Sequence, residues 1–152
     1  MSYDVEHIQA AEVGVLRQLL AVFGEAFGEP DTYGARVPSD AYLRDLLGMP
    51  HFFALAALAG DEVVGGLCAY ELQKFEQERS EIYIYDLAVL EGHRRKGVAT
   101  GLIRELQRTA RERGAYIIFV QADPPDEPAI RLYTSLGTRE DVLHFDIPVD
   151  EP

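Results

Sequence analysis

The chain has 152 residues, 47% hydrophobic and 26% charged, with 26 acidic against 14 basic side chains and a formal net charge of −12. That length suits a single domain, residues 1–152, with one core; the composition excludes disorder, and the acidity argues against a nucleic-acid partner. A lone Cys68 excludes a disulfide framework, the four scattered histidines fit no metal site, and no apolar run approaches the ~20 residues of a membrane span, so a cytoplasmic protein with no membrane partner is expected.

Val13, Leu16, Leu20, Phe23 and Phe27 recur at helical spacing and predict a first helix near residues 9–26. Residues 29–38 mix Pro, Gly, Asp and Tyr without periodicity and read as a loop. Ser39 is placed to cap a short helix that buries Tyr42, Leu43, Leu46 and Leu47 and ends at Gly48 and Pro50. Two apolar runs, residues 52–59 and 63–70, flank Gly60-Asp61 and predict a hairpin. Residues 71–80 read as a loop or a frayed strand end, and the β-prone residues 81–89 as a strand. A helix is expected from about Gly97 to Gly114, with Leu102, Ile103, Leu106 and Ala110 inward. It is followed by a strand at 115–121, an acidic Pro-rich turn at 122–127, a helix at 128–136 and a last strand at 142–149. Strands, a strand–helix–strand unit, then helix and strand imply an α/β fold with a mixed sheet.

The charge is uneven. Residues 94–113 hold seven basic and only two acidic side chains inside an otherwise acidic chain. One anionic partner at that island and one cationic partner elsewhere would fit such a distribution. The island begins at Arg94-Arg95-Lys96-Gly97-Val98-Ala99-Thr100, a basic turn leading from a strand into a helix. Helix starts present unpaired N–H groups and the positive end of the dipole, and small residues let phosphate oxygens approach the backbone. The P-loop and dinucleotide patterns do not match, because Lys96 precedes Gly97 and the glycine spacing is wrong.

Arg94-x-x-Gly97-x-Ala99 resembles the pyrophosphate motif Q/R-x-x-G-x-G/A of the GNAT N-acetyltransferases, and residues 126–137 resemble that superfamily's N-x-x-A-x-x-x-Y-x-x-x-G helix. Within it the chain is similar to the type I aminoglycoside 3-N-acetyltransferases, the gentamicin acetyltransferases. That likeness is carried by Lys74-Phe75-Glu76, residues 79–89, His93-Arg94-Arg95, Gly114-Ala115-Tyr116, residues 120–123 and residues 144–147. The chain departs from the superfamily pattern with Asp126 for the helix-opening Asn, with Pro124-Pro125 in the preceding loop, and with Thr138 after Gly137.

The resemblance implies a central, mostly antiparallel sheet with flanking helices, acetyl-CoA as co-substrate, a cationic aminoglycoside as acceptor and a homodimer. It implies direct transfer, in which a neutral amine attacks the thioester carbonyl and thiolate leaves. Leu87 and Val89 would supply backbone N–H groups to the thioester and pantetheine. The implied coenzyme-binding set is Leu87, Ala88, Val89, Arg94, Arg95, Lys96, Gly97, Val98, Ala99, Thr100, Ala129 and Tyr133. Tyr133 is the expected acid for the leaving sulfur. Asp123, at the carboxyl end of a strand, is the candidate base, with Asp86 and Glu81 as alternatives. Asp123, Asp126, Glu127 and Asp146 are expected along the acceptor groove, with Glu81 and Asp86 also facing it and Tyr33 as a lid. A polyamine or basic-peptide acetyltransferase, a non-catalytic acyl-CoA-binding regulatory domain and an interaction protein are the rival readings.

Overall fold

A computed structural model describes residues 2–150 in two compact units, one ending at Gln121 and one beginning at Ala122. The first contains β1 (Asp4–His7), α1 (Val13–Phe27), α2 (Pro30–Gly34), α3 (Asp40–Leu47), β2 (Phe52–Ala59), β3 (Glu62–Lys74), β4 (Arg79–Val89), α4 (Val98–Arg113) and β5 (Ala115–Val120). One sheet of order β1-β2-β3-β4-β5 runs through it, antiparallel as far as β4 and parallel between β4 and β5. Parallel neighbours need a crossover, and α4 is that crossover.

Each face of the sheet buries a helix. α1 turns Val13, Leu16, Leu19, Val22 and Phe23 onto Phe52, Ala54, Ala56 and Ala88. Its approach is close because of Gly66: a Cβ there would overlap Leu19 and the Leu55 carbonyl. On the other face Leu55, Leu67, Ala69, Ile82 and Ile84 are buried, and α4 packs there with Leu102, Ile103, Leu106 and Ala110 inward. At the end of α4, the Arg113 Nε donates to Glu71 Oε1 at 2.5 Å, and the Ser80 hydroxyl donates to Glu71 Oε2 at 2.6 Å. Glu71 is a buried carboxylate, tolerated because both its oxygens are satisfied.

Several boundaries differ from the sequence reading. β1 is an edge strand of only four residues with two charges flanking Val5, too short and polar for an alternation signal. The first helix starts as a 3-10 turn, Ala10–Glu12, and becomes α-helical at Val13. Residues 29–38 are not loop throughout: Gly28, at φ 66°, ends α1, and Pro30 opens α2. Tyr33 then packs on Phe23 and Phe27 with ring centroids 6.0 and 5.7 Å away. β3 continues to Lys74 because residues 71–74 find partners on β4.

The second unit holds α5 (Glu127–Leu136), whose first turn is capped by Asp126 Oδ1 accepting from Ala129 N at 3.3 Å. The expected strand at 142–149 is not formed. A strand needs a hydrogen-bonding neighbour, and no described residue pairs with that segment.

Candidate functional site

The basic turn is built as a cradle. After β4 a 3-10 turn, Glu91–His93, leads to Arg94 in extended conformation, and the Arg94 Nε donates to Val89 O at 2.9 Å, tying the turn to the strand that precedes it. Arg95 has φ 61°, a left-handed conformation that is strained for a side chain with Cβ, and Gly97 has φ 81°. Gly97 is the N-cap of α4 and has no side chain to accept from the first-turn N–H groups, and no acidic residue lies in that turn. The 16-residue helix therefore presents an uncompensated positive end. A Cβ at Gly97 would meet no protein atom within 4 Å, so the space beside the turn is open. Arg95 and Lys96 are exposed and form no ion pair among the described residues. Free N–H groups, two unpaired cations and an open glycine fit a diphosphate.

The strand leading into this cradle is half-unpaired. β5 accompanies β4 only as far as Ile84↔Val120, whereas β3 accompanies it to Gly65↔Val89. Leu90 N donates to Val64 O at 2.8 Å, on the β3 side. Successive residues of a strand direct their N–H groups to opposite sides, so with Leu90 aimed at β3, Leu87 and Val89 aim theirs to the side where β5 has ended. Those two donors are available to an oxygen on a molecule lying along that edge.

A β-bulge decides where the nearby carboxylate goes. Cys68 pairs with Asp86 but Ala69 pairs with Ile84, which leaves Tyr85 as the extra residue. Without it Asp86 would share a face with Ile82 and Ile84, under α4. The shift in phase puts Asp86 opposite Cys68, on the face that α1 covers. There it lines a cavity of about 220 Å³ together with Leu16, Phe23, Tyr42, Leu43, Phe52 and Tyr70. Tyr33 closes one side, its hydroxyl donating to Asp86 Oδ1 at 3.0 Å. Burial pushes the Asp86 carboxyl above the usual carboxylate range, and the Tyr33 hydrogen bond pulls back against that. Burial and the Asp86 charge hold the Cys68 thiol firmly protonated. A larger neighbouring groove of about 720 Å³ also touches Tyr33, but Leu20, Ala21, Pro30 and Val37 make it mostly apolar.

The other expected residues are distributed differently. Glu81 lies at the far end of β4 from the basic turn, bonded to the Tyr116 hydroxyl at 2.5 Å and to Lys74 at 3.4 Å, and the Tyr116 bond holds its carboxyl below the usual range. The structure thus places Tyr33 and Asp86 together and Glu81 apart from them. In the second unit Asp123 and Glu127 are exposed, Asp126 is engaged as the α5 cap, and Asp146 accepts from His144 at 2.9 Å. Tyr133, on α5, is half-buried; burial, with Asp126 adding to it, pushes its phenol up to about 12. The sequence reading missed the aromatic row beside Asp86. Tyr70 and Tyr85 meet edge to face at 6.1 Å, Tyr83 and Tyr85 at 5.6 Å, and Tyr83 stacks on Phe119 at 4.6 Å. Three of its four members, Tyr70, Tyr83 and Tyr85, lie within residues 70–85, and their clustering was the available signal.

The model of the acetyltransferase (GNAT) family matches residues 17–138. The chain belongs to that family. GNAT enzymes draw their acetyl group from acetyl-CoA, whose diphosphate is the anion that the α4 cradle fits. Among solved structures, an aminoglycoside acetyltransferase from an uncultured soil metagenomic sample is 60% identical over 99% of this chain and 100% of its own, with a TM-score of 0.97. A second metagenomic aminoglycoside acetyltransferase, solved in complex with sisomicin, is 29% identical over 97% of both chains, with a TM-score of 0.91. The streptothricin acetyltransferase of Streptomyces lavendulae is 32% identical over 48% of this chain and 39% of its own length. The chain spans about two-fifths of the length of the curated relatives it matches.

Proposed function

We propose that this GNAT domain transfers the acetyl group of acetyl-CoA to an amine of an aminoglycoside, the 3-amino group of a 2-deoxystreptamine ring of the gentamicin type. The observation that carries the acceptor class is the 60% identity, over the full length, to an aminoglycoside acetyltransferase. The resemblance of residues 79–89 and the other matching segments to the type I aminoglycoside 3-N-acetyltransferases is what points to the 3-position.

Acetyl-CoA supplies an activated thioester. In this reading the N–H groups at the start of α4 (Val98, Ala99 and Thr100), with Arg95, Lys96 and Gly97, hold its diphosphate. Arg94 braces the turn through Val89 O. Leu87 and Val89 present their N–H groups to the thioester oxygen, where negative charge develops as the amine attacks. The acceptor arrives as an ammonium. Asp86 binds it, aided by the faces of Tyr70 and Tyr85, and takes a proton before attack; a carboxylate made more basic by burial is better suited to that step than an ordinary one. Asp123, the base expected from the sequence, remains a candidate for orienting the drug together with Asp126, Glu127 and Asp146. Tyr133, protonated throughout the physiological range, donates to the departing sulfur. The Cys68 thiol is protonated as well, so direct transfer to the amine is favoured over an acetyl-cysteine route.

The test is product analysis. Incubation with acetyl-CoA and gentamicin or sisomicin is expected to give a monoacetylated drug with the new amide on the 3-amino group by NMR. Acetylation at a different ring amine would overturn the regiochemistry, and acetylation of polyamines alone would overturn the acceptor class.

A further inference from the structure

The basic turn before α4 holds a conformation that its own sequence does not favour. Arg95, at φ 61°, is the one non-glycine residue with positive φ among the described residues. Such a conformation persists only where the surroundings impose it. Within the turn His93 N donates to Leu90 O at 2.9 Å and Arg94 N to Glu91 O at 3.3 Å, and the Arg94 side chain ties back to Val89. These bonds all reach residues that immediately precede the turn, so they fix its shape relative to the end of β4 alone.

A second anchor comes from the start of the chain. The Tyr3 hydroxyl and His93 Nδ1 are hydrogen-bonded at 3.2 Å, and the two rings meet edge to face with centroids 5.8 Å apart. Tyr3 leads directly into β1, where Val5 and His7 are half-buried and Asp4 and Glu6 exposed. Alternate residues of a strand share a side, and here that side faces α4. A Cβ on Gly101 would lie 3.9 Å from Val5, and His7 Nε2 lies 3.3 Å from Thr109 Oγ1 and 3.8 Å from Glu105. The row Tyr3, Val5, His7 thus follows α4 from the turn that opens it to its third turn. The backbone of β1 is fixed independently, by pairing Asp4–His7 with Leu58, Ala57, Ala56 and Leu55 of β2.

We propose that β1 is a strap on the α4 cradle and that Tyr3 is a positioning residue for acetyl-CoA, on the reading that this turn receives the diphosphate. Tyr3 holds His93 against the sheet, and the strained Arg95 lies two residues further on. With both ends of the segment tethered, Arg95 cannot relax without breaking a bond, so Lys96, Gly97 and the N–H groups of α4 stay aimed before the coenzyme arrives. Without the tether a fraction of the molecules would leave the cradle conformation, and apparent affinity falls in proportion to the fraction that remains competent. Once the coenzyme is bound, it holds the turn itself. The contribution of Tyr3 therefore belongs to coenzyme affinity and not to the chemical step.

Calorimetric titration of the full chain with coenzyme A tests this without need of an acceptor, so it stands whether or not the drug is an aminoglycoside. Tyr3→Phe keeps the ring and removes the hydroxyl. It is expected to raise the Kd about 3–10-fold, and the KM for acetyl-CoA with it, while kcat at saturating acetyl-CoA is retained. His93→Ala is expected to weaken binding at least as much, and Tyr3→Phe/His93→Ala to bind no more weakly than His93→Ala alone, because the two residues act through one contact. A Kd unmoved by Tyr3→Phe would overturn the proposal, even if the melting temperature fell, since that marks a purely structural contact. Effects that simply multiply in the double variant would overturn it too. Lys96→Ala separates the strap from the reading beneath it. If Lys96→Ala leaves the Kd unchanged, the turn does not hold the diphosphate and both fail; if Lys96→Ala weakens binding and Tyr3→Phe does not, the strap alone fails. Should His93→Ala not fold, Tyr3→Phe and Lys96→Ala decide.

Discussion

The Tyr33 hydroxyl donates to Asp86 at 3.0 Å, joining a five-residue helix to a strand 53 positions later. The bond spans from α2 to the bulge in β4, so the same contact closes the cavity and sets the carboxylate. It also stabilises the charged form of Asp86 against the burial that opposes it. Tyr33→Phe removes that lowering influence while leaving the ring in place. The Asp86 pKa therefore rises, and the acidic limb of kcat/KM is expected to move to higher pH than in the wild type. A pH–rate profile of both proteins checks the direction.

Asp86 itself is an energetic liability. Its folded-state pKa is raised above the unfolded value, so its contribution to stability is present below about pH 4 and is lost as pH rises through the raised value. Asp86→Asn carries no such titration. The variant is expected to melt higher than the wild type at neutral pH, with a margin that grows as pH is raised from about 4. Its kcat/KM is expected to fall by about 10²–10⁴-fold. Thermal melts across pH and steady-state kinetics measure the two effects on the same preparation.

In the proposed mechanism Tyr133 acts at the other end of the reaction. With its phenol at about 12, the wild type should show no alkaline loss of kcat attributable to this group between pH 7 and 10. Tyr133→Phe is expected to lower kcat by about 10²-fold or more while changing the KM for acetyl-CoA little. A donor thioester with a more acidic thiol should narrow the gap between the two proteins, because a better leaving group needs less help.

Gly97 is held at φ 81° beside open space, so Gly97→Ala meets no neighbour and suffers only in its backbone. The left-handed conformation costs a residue with Cβ about 1–2 kcal/mol. The KM for acetyl-CoA is expected to rise about 10-fold with kcat less affected, and Lys96→Ala should raise it in a salt-dependent manner. Steady-state kinetics in acetyl-CoA at low and high salt measure both.

The parts of this molecule that could be read in the sequence are those whose signal is contiguous. The α4 turn places its cations, its glycine and its helix start within seven residues, and the amphipathic faces of α1 and α4 repeat at helical spacing. The aim of Asp86 could not be read, because it depends on one unpaired residue in a ladder: simple alternation puts it under α4, with Ile84. The buried Glu71 was hidden for a related reason, since its partner Arg113 lies 42 positions away and looks like one more cation in a basic run. Residues 142–149 read as a strand but form none, because a pattern of alternation names the faces of a strand and not its neighbour.

In the proposed mechanism the α4 cradle and the Asp86 cavity serve one reaction. Thiol release from acetyl-CoA, followed with and without sisomicin for the wild type, Asp86→Asn and Lys96→Ala, tests whether they do. Drug-dependent release is expected from the wild type, nearly abolished in Asp86→Asn at saturating acetyl-CoA and recovered in Lys96→Ala as acetyl-CoA is raised. Release at the wild-type rate from Asp86→Asn, or none from the wild type with any aminoglycoside, would contradict that mechanism.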